Sequence, residues 1–218
     1  MKKQKSILVA LLTSISLILA ACSGDEEVTQ DNKSNQVDTE SQDRKNSNKF
    51  EEVGDKKETE DATYEILKKK TIDQTIDVSP IKVTIKGIAL IKMTNIEEDN
   101  GGFLSQYTSD GSVPTTANYL QIDYVYENTN EKDITFYGLD KIVLNNGEQL
   151  DAVGNDFIWE NNESSDFYGK VKQDGSIGLI VNGDPKEINI IKIITSSSED
   201  AESYETITEP QRLELSFE

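Results

Sequence analysis

The sequence predicts an all-β domain, an antiparallel sandwich of two sheets, behind a long polar N-terminal stretch. Three observations carry this prediction. From Tyr64 onward apolar residues fall in short runs rich in β-branched and aromatic types. Several runs alternate apolar and polar residues with the period of two that a half-buried strand requires. Gly, Asn, Asp and Pro divide the runs, and helical periodicity is scarce. Residues 64–218 are enough chain for one domain with a sizeable core.

The elements follow in chain order. Ile81, Val83 and Ile85 alternate with Lys82, Thr84 and Lys86, and after Gly87 the pattern resumes on the other parity with Ile88 and Leu90. A glycine at a phase change predicts a β-bulge. Residues 97–117, opening "EEDNGGF", read as a long polar loop. "NYLQIDYVYENTN" places Leu120, Ile122, Tyr124 and Tyr126 on one face and Gln121, Asp123 and Val125 on the other. Asn128 to Glu131 turn into "KDITFYGL". "DKIVLNNGEQLDAVG" predicts a hairpin on a type I′ turn at Asn146-Gly147. "DFYGKVKQDGSIGLIV" predicts a second, turning at Asp174-Gly175. Further strands are expected in "EINIIKIIT" and, after the acidic loop "SSSEDAESYE", at Leu213, Leu215 and Phe217. These make seven to nine strands, with a barrel as the second architecture.

The N-terminal third has a different character. Lys2, Lys3 and Lys5 precede an apolar run, Ile7 to Ala21, which is short for the roughly 20 residues that cross a bilayer. A basic start, a short apolar centre and small residues at the end predict a cleaved secretory signal over residues 1–21. Leu19-Ala20-Ala21-Cys22 resembles the bacterial lipobox, and Cys22 is the chain's one cysteine. The resemblance implies diacylglycerol on the Cys22 thiol and cleavage after Ala21. It also implies a location on the outer face of the cytoplasmic membrane. Residues 22–63 are expected to form the lipidated cysteine and a disordered acidic tether. Apolar residues are too few there to offset the entropy of ordering.

Charge and composition exclude several functions. The chain carries 41 acidic against 22 basic residues, a net charge of −19. Loss of the three leader lysines would make it more negative still. Such a charge opposes nucleic acid and anionic polymers and favours basic protein surfaces or cations. There is no histidine. This excludes His-based triads and His-ligated metals, and no cofactor is expected. "NGG" at 100–102 and "NGD" at 182–184 lack the context of a phosphate loop. The acidic clusters at Glu97–Asp99, Glu160–Asp166 and Glu199–Glu202 read as solvated loop charge. Weak calcium binding and a carboxylate-based wall hydrolase are the sharper alternatives.

The succession "VSPIKVTIKGI", "YLQIDYVYENTNEKDITFYGLDKIVLNNGEQLDA", "FYGKVKQDGSIGLIV" and a closing strand resembles a family of secreted bacterial domains. These are the telokin-like, immunoglobulin-like domains of unknown function in lipoproteins of Gram-positive bacteria. Asn128-Thr129-Asn130, Asn146-Gly147 and Gly169…Gly175 occupy the family's turn and strand-pair positions. The resemblance covers about residues 75–218, implies an immunoglobulin-like sandwich and carries over no catalytic residue. The expected function is non-enzymatic: a membrane-anchored domain that meets an envelope protein. Trp159, with Phe103 and Tyr107 of the 97–117 segment, forms the candidate contact set. An accessory lipoprotein that binds a ligand or calcium for a transporter is the alternative.

Overall fold

The computed structural model describes residues 50–158 and 164–218, all within the compact unit Lys45–Glu218. The signal, the lipobox and Cys22 lie outside the described residues, as does Trp159. No described helix is long and apolar enough to cross a membrane.

The fold is all-β and antiparallel. Five strands form the large sheet: β1 (Lys56–Glu58), β2 (Thr63–Val78), β3 (Ile81–Thr94), β4 (Thr116–Asn128) and β9 (Lys172–Val181), in the order β1-β2-β3-β4-β9. The remaining strands are β5 (Ile134–Phe136), β6 (Leu139–Leu144), β7 (Gln149–Asp151), β8 (Asp166–Phe167), β10 (Ile190–Thr195), β11 (Ser198–Asp200), β12 (Thr206–Thr208) and β13 (Arg212–Ser216). They pair as β13-β10-β6-β7 and β12-β11-β5-β8. The registers show how these two sheets are related. β6 on β10 ends with Leu139 opposite Thr195, and β5 on β11 resumes with Phe136 opposite Ser198. They are two halves of one four-stranded layer, bent where both central strands break. The finer strand count among the described residues, thirteen rather than seven to nine, comes largely from this break.

One buried cluster joins the layers. Val83, Ile85, Ile88, Leu90, Leu120, Ile122, Leu179 and Val181 of the large sheet meet Ile142, Leu144, Ile191, Ile193, Phe136 and Phe167 of the bent layer. The alternation read in β4 is realised, with Leu120, Ile122, Tyr124 and Tyr126 all buried. The bulge at Gly87 is also present: Ile85 pairs with Tyr124 and Gly87 with Asp123, leaving Lys86 as the extra residue. β2 bulges alongside at Ile72 and Asp73, and the Lys86 ammonium reaches the Asp73 carboxylate at 2.6 Å.

The bend is fixed at Gly138, the corner between β5 and β6. Its φ of +82° is in the region that side chains other than glycine avoid. Tyr126 lies against it, and the Tyr126 hydroxyl accepts a hydrogen bond from Leu139 N–H at 3.2 Å. Ser196 N–H donates to Gly138 C=O at 2.9 Å, tying the break in β10–β11 to the same corner.

Several expectations are corrected. The Asn146-Gly147 turn is a three-residue loop. Gly147 N–H bonds back to Leu144 C=O, Leu144 N–H bonds to Glu148 C=O, and Gly147 alone in the loop has positive φ, +89°. This is a type I turn closed by a glycine bulge, because Asn145 adds one residue to the loop. Asp174-Gly175 is not a turn. Both lie within β9, opposite Val125 and Tyr124. A Cβ on Gly175 would stand 2.7 Å from the Tyr124 hydroxyl, so this glycine gives room to a tyrosine. The 97–117 segment contains an α-helix, α1 (Glu98–Leu104), and a 3-10 turn, Ser105–Tyr107. The acidic loop after β10 contributes β11, paired to β5. Residues 56–58, expected in the tether, pair with β2 through Lys56–Glu65, Lys57–Tyr64 and Glu58–Thr63. β2 has three consecutive lysines, which hid a sixteen-residue strand.

Candidate functional site

The large sheet's outer face is apolar at one end. Beyond the bulge, Ala89, Ile91 and Met93 of β3 point away from the central core, together with Ala117 and Tyr119 of β4 and Ile180 of β9. An exposed apolar face of that size requires a cover. The 97–117 segment supplies it. Leu104 of α1, 1% exposed, and Ile96 enter this second cluster, and Phe50, Tyr107, Phe157 and Ile158 pack against it. α1 is short, with Glu98 and Asp99 in its first turn, where carboxylates suit the helix dipole. Gly101 lets it lie flat, since a Cβ there would come within 2.9 Å of Val113 and 3.0 Å of Pro114 C=O.

The cover carries a row of aromatic rings. Buried Tyr119 meets Phe157 edge-on at 5.1 Å, Phe157 meets Tyr107 at 6.3 Å, and Tyr107 meets Phe103 at 5.3 Å. The row ends at the surface, where Phe103 is 42% exposed, and Val113 of the same segment is exposed too. Glu97, Glu98, Asp99 and Asp110 are all exposed on the same segment. The hydroxyl and backbone N–H of Ser112 hold the Asp110 carboxyl below the usual carboxylate range. Two residues of the expected contact set, Phe103 and Tyr107, are thus brought together. Phe157, which sequence reading left unassigned, joins them. Nothing in its local pattern, "GNDFIWENN", indicates that it crosses to the outer face.

Burial, then the nearby Tyr64 and Asp123, push the Tyr119 phenol well above its ordinary value. Below about pH 10 both folded and unfolded chains keep this proton, and stability is unaffected. Above it the unfolded chain ionises first, so stability falls as pH rises, by at most about 1.4 kcal/mol per pH unit. Tyr119→Phe is expected to flatten this alkaline loss. Urea midpoints of both proteins at pH 9 and pH 11 check it; equal falls would remove Tyr119 as the cause.

A second concavity, about 170 Å³, lies against the inner side of β4 and β9. Tyr124 and Tyr126, stacked at 4.1 Å, line it with Phe136, Tyr137 and Asp156. Asp156 is 6% exposed, and its Oδ1 accepts Ile158 N–H at 3.0 Å and Gly178 N–H at 2.8 Å. It thereby caps the outer edge of β9. Asp156 is the only acid among the described residues lining this cleft. A glycosidase mechanism uses two carboxyls across the scissile bond.

Several other carboxylates have partners within the domain. Asp200 accepts N–H groups of Ser203 and Glu202 at 3.0 and 3.1 Å, which holds its carboxyl low. Asp133 accepts Gly169 N–H at 3.0 Å. Glu131 lies 2.8 Å from the Lys170 ammonium. Among the described residues no group of three or more potential ligands is placed to hold a metal ion. The Glu148 carboxylate bonds both backbone N–H groups of Asn182 and Gly183 at 3.0 to 3.4 Å. The backbone N–H groups that open "NGD" are therefore already taken by an internal anion.

Compared with known proteins, the chain matches no family model, no curated protein and no solved structure.

Proposed function

We propose that this protein is a non-enzymatic, lipid-anchored extracytoplasmic lipoprotein. Its immunoglobulin-like sandwich presents the α1 surface to a basic envelope protein. The carrying observation is the aromatic row that runs out to exposed Phe103 on a segment that also exposes Glu97, Glu98, Asp99 and Asp110. Aromatic anchors surrounded by charge are the composition of interface hot spots. A net charge of −19 favours a Lys- and Arg-rich partner and speeds encounter at low salt. The anchor reading rests on Leu19-Ala20-Ala21-Cys22, and the sandwich reading on the two packed antiparallel layers.

Crosslinking in intact cells and affinity measurement against the captured partner test this reading. Phe103→Ala with Tyr107→Ala is expected to weaken binding at least tenfold while the fold persists. Raising salt from 50 to 500 mM is expected to slow association several-fold. Unchanged binding in the double variant would overturn the assigned surface. Cys22→Ser is expected to release the protein from the membrane fraction, and continued membrane retention would overturn the anchor.

A further inference from the structure

The chain contains three Asn-Gly pairs, Asn100-Gly101, Asn146-Gly147 and Asn182-Gly183. Such a pair carries latent chemistry. Glycine has no Cβ to obstruct its nitrogen when that nitrogen attacks the preceding side-chain amide, and its backbone reaches the required conformation easily. The product is a cyclic imide, and ammonia leaves. In two of the pairs the attacking nitrogen is committed to a backbone carbonyl. Gly101 N–H donates to Glu97 C=O at 2.8 Å, and Gly101 is buried within α1. Gly147 N–H donates to Leu144 C=O at 3.0 Å and closes the hairpin loop. A carbonyl oxygen is too weak a base to take the proton.

The third pair faces a carboxylate. Glu148 Oε2 accepts Gly183 N–H at 3.4 Å, and Oε1 accepts the Asn182 side-chain N–H at 2.8 Å. The backbone N–H of Asn182 adds bonds of 3.0 and 3.3 Å to the two oxygens, which hold the carboxylate in place. The Ser109 hydroxyl donates to Asn182 Oδ1 at 3.3 Å. One carboxylate thus touches both the nitrogen that attacks and the nitrogen that leaves. A hydroxyl touches the oxygen on which charge develops. These are the positions of a general acid–base group and an oxyanion donor. The bonds to Gly183 and from Ser109 are long, as catalytic contacts often are before the transition state. Asn182 is exposed, so water reaches the product. A Cβ on Gly183 would collide with the Asn146 side chain, so the fold itself requires glycine there.

We propose that Asn182-Gly183 is a self-modification site at which Glu148 is the acid–base catalyst. The Gly183 nitrogen forms a bond to Asn182 Cγ while Glu148 takes the proton of that nitrogen. The carbonyl electron pair moves onto Asn182 Oδ1, where the Ser109 hydroxyl stabilises it. The pair then returns, the Cγ–Nδ2 bond breaks, and Nδ2 leaves as ammonia with the proton that Glu148 held. Glu148 is regenerated, and water opens the imide at either carbonyl to aspartate or isoaspartate. The change runs one way. It removes an N–H donor to Glu148 and sets a new carboxylate against it, so the β9–β10 loop loses a tie to the β6–β7 hairpin. It also alters the group that Ser109 of the 97–117 segment bonds. The reaction does not depend on the binding role assigned to that segment.

Peptide mapping of the purified intact protein, incubated warm at neutral pH, tests the proposal. Conversion is read by mass, as the replacement of an amide NH2 by OH, and by the ammonia released. In the folded protein Asn182 is expected to convert at least about tenfold faster than Asn100 and Asn146. In concentrated urea the three rates are expected to converge, because the fold alone distinguishes them. Glu148→Gln keeps the size of the side chain and loses the base, and is expected to slow Asn182 at least about tenfold. Ser109→Ala is expected to slow it several-fold. Equal rates at the three pairs in the folded protein, or a ranking that persists in urea, would overturn the proposal without reliance on any variant. An unchanged or faster rate in folded Glu148→Gln would also overturn it, since the carboxylate would then shield the pair rather than activate it.

Discussion

Asn128→Leu is expected to lower the unfolding free energy by about 3 kcal/mol. Asn128 is 1% exposed at the end of β4, where a strand would ordinarily give way to a solvated turn. Its side-chain amide donates to Lys132 C=O at 2.8 Å and to Gly169 C=O at 2.9 Å. Its Oδ1 accepts Asn130 N–H at 2.9 Å. Each bond contributes about 1 kcal/mol net, and each group left unmet in a part-buried place costs about as much again or more. One residue therefore closes the 128–132 turn and joins it to the chain entering β9. Asn128→Asp keeps the acceptor but loses both donors and sets a charge against two carbonyl oxygens, so it is expected to be no milder. Urea denaturation should show the loss as a lowered midpoint with an unchanged slope. A loss below about 1 kcal/mol would mean that water replaces the bonds.

Gly138→Ala is expected to cost about 3–5 kcal/mol, through two separable causes. A left-handed backbone costs about 1–2 kcal/mol for a residue with a Cβ. The remainder comes from Tyr126, whose hydroxyl would stand 2.8 Å from the new Cβ and would have to leave Leu139 N–H. Tyr126→Phe alone is expected to cost about 1 kcal/mol or more. Gly138→Ala placed on Tyr126→Phe should be less than additive, because the nearest clashing atom has gone. Strict additivity in that double-mutant cycle would remove the hydroxyl from the argument and leave backbone strain as the sole cause.

Both residues show how far a sequence can be read. The Asn128 turn was legible, because Asn-Thr-Asn after a long alternating strand is turn chemistry. Its role as a buried hub was not, since Lys132 and Gly169 are its partners only in three dimensions. Gly87 was legible as a bulge because the alternation changes phase on either side of it. Gly175 was misread as a turn because Asp-Gly carries the same local signal whether the chain bends or a cross-strand tyrosine needs the space. Tyr124, fifty-one positions earlier, decides between them.

The candidate surface divides in the same way. The aromatics of the 97–117 segment stood out in a polar stretch, and Phe103 and Tyr107 lie in contact. That the segment is a lid could not be read locally. It depends on Ala89, Ile91, Met93, Tyr119 and Ile180 leaving an apolar face on three adjacent strands. Asn182-Gly183 carries a local signal, but it shares that signal with two other pairs, and Glu148 and Ser109 reach it only in three dimensions.

What the sequence alone determined is the all-β class, the strand faces, the acidic charge and the lack of histidine chemistry. These are local or summed properties, set by the two-residue period and by composition. What only the tertiary structure decided is where those faces meet. It set the bend at Gly138, the second core beneath α1 and the contact of Glu148 with Asn182 and Gly183. Each depends on the register between strands distant in sequence, where the packing of one side chain against another selects among conformations that the local pattern leaves equal.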